Sequence, residues 1–259
     1  MASAPAPQVA PTRLVGPYFH PNGKCPYLED RQWSSFYLLD LQRADMESID
    51  LDDAAFSRLL SVGFRRTGRA FYTPSCKDCR ECVSIRVPVR TFEPTPDQKR
   101  AWRKNPDVRL EVNVPTYSAE KLSMYKRFLE ARYPTTTGQP TTEASYHSFF
   151  VQGFGNTREF DYYLGDRLVG VGIVDLVPDA ASSVYFYFDP DLGSRSLGTY
   201  SALREIEYCK ETGRDYLYLG FRVAGCKAMA YKSNYRPHEL LHTERGWLPE
   251  AEWQRLQPS

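Results

Sequence analysis

Between Ser196 and Pro237 the chain reads SLGTYSALREIEYCKETGRDYLYLGFRVAGCKAMAYKSNYRP, and no other stretch restricts the fold as much. Leu203, Ile206 and Tyr208 recur at helical spacing between charged residues after a Gly-bounded turn. Lys210 stands where a last turn favours a cation, and Gly213 suits the helix exit. Asp215–Leu219 (DYLYL) then alternates like a strand, with Gly220 expected to end it. A second short helix over Cys226–Tyr231 would bring Lys227, Tyr231 and Lys232 to that strand's end.

The preceding residues supply the rest of the pattern. Ser118 is the expected N-cap of a helix to Arg132 that sets Leu122, Tyr125, Phe128 and Leu129 on one face. A Thr- and Pro-containing loop leads to a second helix over residues 142–152. Residues 159–165, 168–177 and 183–188 alternate as antiparallel strands joined by turns at Gly165-Asp166-Arg167 and Pro178-Asp179-Ala180. Two helices, a meander, a helix and a strand predict an α/β (α+β) fold with an acetyltransferase-like (GNAT) domain over 111–259. Upstream, residues 1–15 are Ala/Pro-rich and read as a flexible lead-in. A smaller Cys-bearing basic domain is expected over 16–110. It would contain a strand in CPYLEDRQWSSFYLLDL, a helix over Leu51–Val62 left at Gly63, and a helix opened by Thr95-Pro96 and stopped by Pro106.

A chain of 259 residues with 42% hydrophobic and 25% charged residues can bury a real core. No run approaches the ~20 apolar residues of a membrane helix, and the N-terminus lacks a secretory layout. Three of the six Cys fall within seven residues, which is metal or redox spacing rather than a secreted disulfide framework. The expected compartment is the cytoplasm. The net charge of +1 hides an uneven distribution, because residues 63–109 carry 12 Lys/Arg against 5 Asp/Glu. A local cationic block points to a polyanion met by one face.

Cys76, Cys79 and Cys82 make two CxxC steps, and Cys25 could complete a tetrahedral site for zinc or an iron–sulfur cluster; the alternative is reduced thiols in a surface turn. Arg65, Arg66, Arg69, Arg86 and Arg90, with Lys99, Arg100, Arg103 and Lys104, are interleaved with Phe71, Tyr72, Phe92 and Trp102. That mixture suits a single-stranded RNA end, or else is a solvated basic face. An Arg pair could equally grip a carboxylate. The turn Arg195-Ser196-Leu197-Gly198-Thr199 opens a helix and either holds a phosphate or is an ordinary helix start. Tyr231-Lys232 is either functional or a favourable helix ending. Neither a nucleophile elbow nor a dinucleotide or Walker loop occurs.

Taken together, CPYL at Cys25–Leu28, GFRRTGRAFYTPSCKDCRECVSIRVPV, SLGTYSALREI, DYLYLGF and CKAMAYKSNYRPHELL resemble the N-end-rule aminoacyltransferase family. The resemblance spans residues 17–245 and is strongest to the bacterial branch that moves leucine from leucyl-tRNA to proteins beginning with Asp or Glu. It implies a Cys-bearing N-terminal region, aminoacyl-tRNA as donor and a protein N-terminus as acceptor. Cys25, Cys76, Cys79 and Cys82 match the family's cysteine positions. Within that frame Tyr231 and Lys232 are the expected catalytic pair. Arg65, Arg66 or Arg86 are expected to grip the acceptor's carboxylate, and Arg195, Ser196 and Gly198 to face the terminal phosphates of the tRNA. The donor is an activated ester, so no cofactor is required for transfer. The rival readings are an arginyl-tRNA donor, an acyl-CoA transferase on the same fold, and a non-catalytic RNA-binding module with a structural metal site.

Overall fold

The computed structural model describes residues 12–40, 48–134 and 141–256. The first eleven residues of the expected lead-in, and six of the loop before residue 142, lie outside that range. Arg13–Val15 are not a lead-in, because strand β1 (Arg13–Lys24) starts there with Leu14 and Val15 buried. It pairs antiparallel with β2 (Gln32–Asp40) and β3 (Ser48–Asp50). Helix α1 (Asp53–Ser61) follows, its first-turn N–H of Ala55 bonded to Asp52 and its exit made by Gly63 at φ +90°. β4 (Arg65–Thr67) and β5 (Ala70–Pro74) complete a five-stranded sheet in the order β3-β1-β2-β5-β4.

The chain leaves this sheet at Pro74, crosses the Cys-rich turn and enters a second sheet as β6 (Val83–Pro88). The segment 16–110 is therefore shared between two sheets. The alternation of VSIRV is the reason: Val83, Ile85 and Val87 are all buried in the core of the larger sheet. Helix α2 (Pro96–Arg103), with a full capping box at Thr95 and Gln98, and β7 (Val108–Asn113) also belong to it.

Next come α3 (Ala119–Arg132), capped by Ser118, and α4 (Glu143–Tyr146), which runs on as a π-helical turn through Val151. The expected meander follows as β8 (Thr157–Leu164), β9 (Arg167–Leu176) and β10 (Ala180–Phe188). The long crossover helix α5 (Leu197–Glu211) leads to β11 (Tyr216–Arg222). Gly220 does not end β11. It sits inside as a bulge at φ +89°, a conformation open to glycine. Short α6 (Lys227–Ala230) and a 3₁₀ turn over Tyr231–Asn234 precede a hairpin of β12 (Glu239–His242) and β13 (Gly246–Pro249), then α7 (Glu250–Arg255).

The large sheet runs β13-β12-β6-β11-β10-β9-β8-β7, so an early strand, β6, separates two late ones. Helices α2 and α5 lie on one face over a core that includes Leu197, Leu203, Ile206 and Leu217. An aromatic cluster of Tyr125, Tyr146, Phe150 and Tyr187 seats α3 and α4 against the meander. A third cluster, including Phe56, Phe71, Val177 and Tyr218, docks α1 and the small sheet against the large one.

Candidate active site

Every pairing in both sheets is antiparallel except β10 with β11, which is parallel and short. Only Ala180–Ser182 and Tyr216–Tyr218 pair. Beyond them each strand carries an irregularity, at Ser183–Tyr185 and at Tyr218–Gly220, so the two diverge. Diverging strands leave carbonyls without a ladder partner, which must be satisfied otherwise.

Two cations do this from opposite ends of the chain. Arg65, on β4 of the small sheet, donates Nη2 to the Ser183 carbonyl at 2.8 Å. Lys232, in the 3₁₀ turn, donates Nζ to the Phe221 carbonyl at 3.0 Å. A Cβ at Gly220 would lie 3.3 Å from Lys232 Nζ and 3.6 Å from Arg65 Nη2, so the two cationic ends face each other across one glycine. Their residues are only 6% and 8% exposed, and among the described residues neither forms an ion pair with a carboxylate. Burial, then repulsion from Arg65, brings the Lys232 ammonium down to about 7. Burial likewise lowers Arg65.

Glu205 on α5 closes the far side. One carboxyl oxygen accepts from Ser183 Oγ at 3.3 Å, and the other is buried without a partner. Burial pushes its pKa up to about 8. Tyr231 is half exposed, and desolvation, then the charge of Glu205, raises its phenol's pKa.

The other expected substrate-binding residues are distributed differently. Arg66 is not available to substrate: its buried Nε bonds both oxygens of Asp175 at 2.9 and 2.7 Å, and Nη1 donates to the Gly68 carbonyl. The strand alternation that turns Arg65 toward β10 and β11 turns Arg66 the other way. Arg86 is held by Glu239 at 2.6 Å and lies over the rings of Tyr216 and Trp247. Both are corrected from substrate ligands to braces of the fold. Arg195 is bidentate to Asp107 at 2.8 and 2.9 Å and also reaches the Lys104 carbonyl, tying the α5 entrance to α2. Ser196 takes a left-handed conformation, φ 58°, without a side-chain cap, and Gly198 has open space where a Cβ would be. The first-turn N–H groups there are those that a helix cannot satisfy internally.

Between α2 and α5 lies a groove of about 330 Å³. Phe92, Trp102, Leu203 and Ile206 form its apolar wall, with Lys99 and Arg103 at the rim. Arg204 stacks over Trp102 at 5.6 Å. The cationic block thus divides: Arg65 and Arg66 are buried, whereas its α2 part lines an open groove.

Cys25, Cys76, Cys79 and Cys82 gather at one corner, and their proximity adds to burial in pushing the Cys82 thiol up to about 12. The Cys76 thiol accepts from the Ser34 N–H at 3.4 Å and contacts the Ser34 carbonyl at 3.5 Å. Among the described residues no three His, Cys, Asp or Glu are set to hold a metal ion. Cys82 also lies near Lys232.

Glu205, Ser183 and Gly220 complete the site without having been singled out from sequence. A signal for Glu205 existed, since Ser201, Glu205 and Cys209 follow one another at four-residue spacing on the buried side of α5.

Comparison with known proteins gives one consistent result. Residues 23–100 match the model for "Arginine-tRNA-protein transferase, N terminus" and residues 120–242 that for its C terminus. A protein of Hahella chejuensis named aspartate/glutamate leucyltransferase is 32% identical over 86% of this chain and 93% of its own. One of the same name from Acinetobacter baylyi is 36% identical over 92% and 83%. Among solved structures, the C-terminal domain of a putative lysylphosphatidylglycerol synthetase from Agrobacterium fabrum superposes with a TM-score of 0.46 at 13% identity, covering 66% of this chain and 59% of that one. No helix among the described residues is long and apolar enough to cross a membrane.

Proposed function

This chain belongs to the aminoacyl-tRNA–protein transferase family that includes the aspartate/glutamate leucyltransferases, and we propose that it transfers leucine from leucyl-tRNA to the α-amine of proteins beginning with Asp or Glu. The observation that carries the assignment of roles is the facing of two buried basic groups, Arg65 and Lys232, neither ion-paired with a carboxylate among the described residues. A site built this way is incomplete until an anion enters, and the side chain of an N-terminal Asp or Glu supplies one. The divided strands, crossover helix and parallel return of β10, α5 and β11 support an acetyltransferase-like reading of the large sheet.

The acceptor's carboxylate sits against Arg65, whose planar fork keeps its charge at any working pH. This places the α-amine near Lys232. An α-amine of reference pKa about 7.7–8.0 is partly neutral near pH 7 and attacks the leucyl ester carbon. The C–N bond forms as the ester carbonyl opens to an oxyanion. Lys232, neutral through burial, takes a proton from the attacking nitrogen, and collapse expels the 3′-terminal ribose oxygen of the tRNA. That leaving oxygen needs a proton, which Lys232 returns. Tyr231 donates a hydrogen bond from its hydroxyl to the oxyanion. Holding amine and ester together is the main contribution, because the ester is already activated.

The donor's acceptor end lies along α2 and the entrance of α5. Lys99, Arg100 and Arg103 meet phosphates, Trp102 offers a stacking face, and the N–H groups of Leu197 and Gly198 at the first turn of α5 add donors. No step is routed through the cysteine corner.

A transfer assay with purified protein tests this reading, pairing leucyl-tRNA or arginyl-tRNA with peptides that begin with Asp, Glu, Ala or Lys. Leucine should appear on the Asp and Glu peptides alone. Arg65→Met should lower acceptor kcat/KM by at least about a hundredfold, as expected when a buried charge pair loses one member. Arginine on the same peptides would keep the reaction and change the donor. Transfer to Ala as fast as to Asp would remove Arg65 from the acceptor site.

A further inference from the structure

A groove of about 1030 Å³ lies on the small-sheet side of β6 and β11. The Cys-bearing turn, the end of β5 and the β12–β13 hairpin enclose it. Its inner end touches the reaction site, because Phe221 lines the groove and its carbonyl holds Lys232. Cys82 is a second shared wall, lining the groove and lying near Lys232. Its outer rim carries Phe19 and Val62, which are 53% and 55% exposed and rank among the few large apolar side chains left open to solvent.

The chemistry of the walls is that of a peptide channel. The hydroxyls of Thr73, Ser75, Ser84 and Thr243 line it and have no partner among the described residues. Hydroxyls both donate and accept, which suits any main chain irrespective of sequence. The lining contains no Asp or Glu, whereas Lys77 and Arg80 contribute positive charge. Arg80 is bonded to the carbonyls of Cys76 and Cys79 and fixes the turn, and Lys77 is exposed and unpaired.

From this continuity with the cation pair we infer that the groove receives the acceptor polypeptide itself, in extended form, over the residues that follow its acidic N-terminus. The inference rests on the transfer reading above and names the route by which that substrate leaves the site. A chain spans about 3.3 Å per residue, so the second to fifth or sixth acceptor residues run from Phe221 toward Phe19 and Val62. Lys77 then makes the site favour acidic over basic residues at the outer positions, and the unpaired hydroxyls take the main chain.

The test uses the full-length protein, leucyl-tRNA and Asp-initiated acceptors of two, four, six and ten residues, whose third to fifth positions are Ala, Glu or Lys. Acceptor kcat/KM should climb from the dipeptide to the hexapeptide and then level. Glu-bearing hexapeptides should exceed Lys-bearing ones by about fivefold, the size expected of one exposed ion pair. Lys77→Glu should reverse that order. Thr243→Trp, in the hairpin loop, should depress transfer to hexapeptides while sparing the dipeptide, with KM for leucyl-tRNA unchanged in both variants. Equal kcat/KM from dipeptide to decapeptide, with neither variant altering it, overturns the groove while dipeptide transfer leaves the reaction assignment intact. Failure of transfer to every acceptor, dipeptide included, overturns the reaction assignment and the groove with it.

Discussion

Lys232 shows how an ordinary side chain is made into an acid–base group by position alone. Its ammonium is desolvated beside Arg65, so the folded protein holds its proton with a pKa of about 7 rather than the usual value near 10.4. Between those values the unfolded chain binds more protons than the folded one, so stability rises with pH across that window. Lys232→Met removes the penalty, and urea denaturation at pH 7 should show a gain of about 1–3 kcal/mol after the lost bond to Phe221 is discounted. Transfer should be lost in the same variant, and wild-type kcat should climb as pH passes through about 7, where the amine becomes free to accept a proton. Glu205 has the opposite sign. Its folded pKa of about 8 lies above the unfolded value, so it draws stability down as pH rises from about 4.5 to 8. Glu205→Gln should therefore raise Tm more at pH 8 than at pH 5; an equal shift at both would show that the carboxyl is not held protonated.

At the scale of elements, the divergence of β10 from β11 is what makes the site, and it depends on Gly220. A side chain there would have to adopt φ +89° and would crowd Lys232 Nζ at 3.3 Å. Gly220→Ala should cost about 1–3 kcal/mol of stability and reduce transfer by displacing the amine, measured as lower kcat with leucyl-tRNA KM unchanged. Most elements were readable from the sequence because their signals are local: the capping box at Thr95, the Ser118 cap, the Gly63 and Gly213 exits, and the alternation of the meander. The strand ending expected at Gly220 was misjudged because a glycine that stops a strand and one that bulges it look alike in one dimension. Lys121 was also hidden. It reads as an exposed position of α3 but lies buried against Glu159 and Asp161. Residues Arg65 and Lys232 were legible as candidates, whereas their closeness across Gly220 was not. Neither was the diversion of Arg66 and Arg86 into internal pairs, since partners 109 and 153 residues away leave no mark on local pattern.

For the whole molecule, the ion pair between Arg66 and Asp175 ties the small sheet to the meander. Both side chains are fully buried, and Thr157 Oγ1 donates to the same carboxylate at 2.7 Å. Breaking one member leaves an uncompensated buried charge, so Arg66→Met should lose about 3–5 kcal/mol by denaturant unfolding. If stability is unchanged, the two sheets are held without this pair, by the cluster of Phe56, Phe71 and Phe154 and the Arg65 bond to Ser183. The placement of β6 between β11 and β12 has a further consequence, which concerns inheritance more than energy. A strand from the first hundred residues is interleaved with strands from the last fifty, and the pocket takes one cation from each portion. Such a chain has no seam at which recombination could exchange one half for that of an unrelated protein. The amino-terminal part cannot be lent to another enzyme as a cassette, and the acyl-transfer part cannot acquire a new front end without losing its central strand.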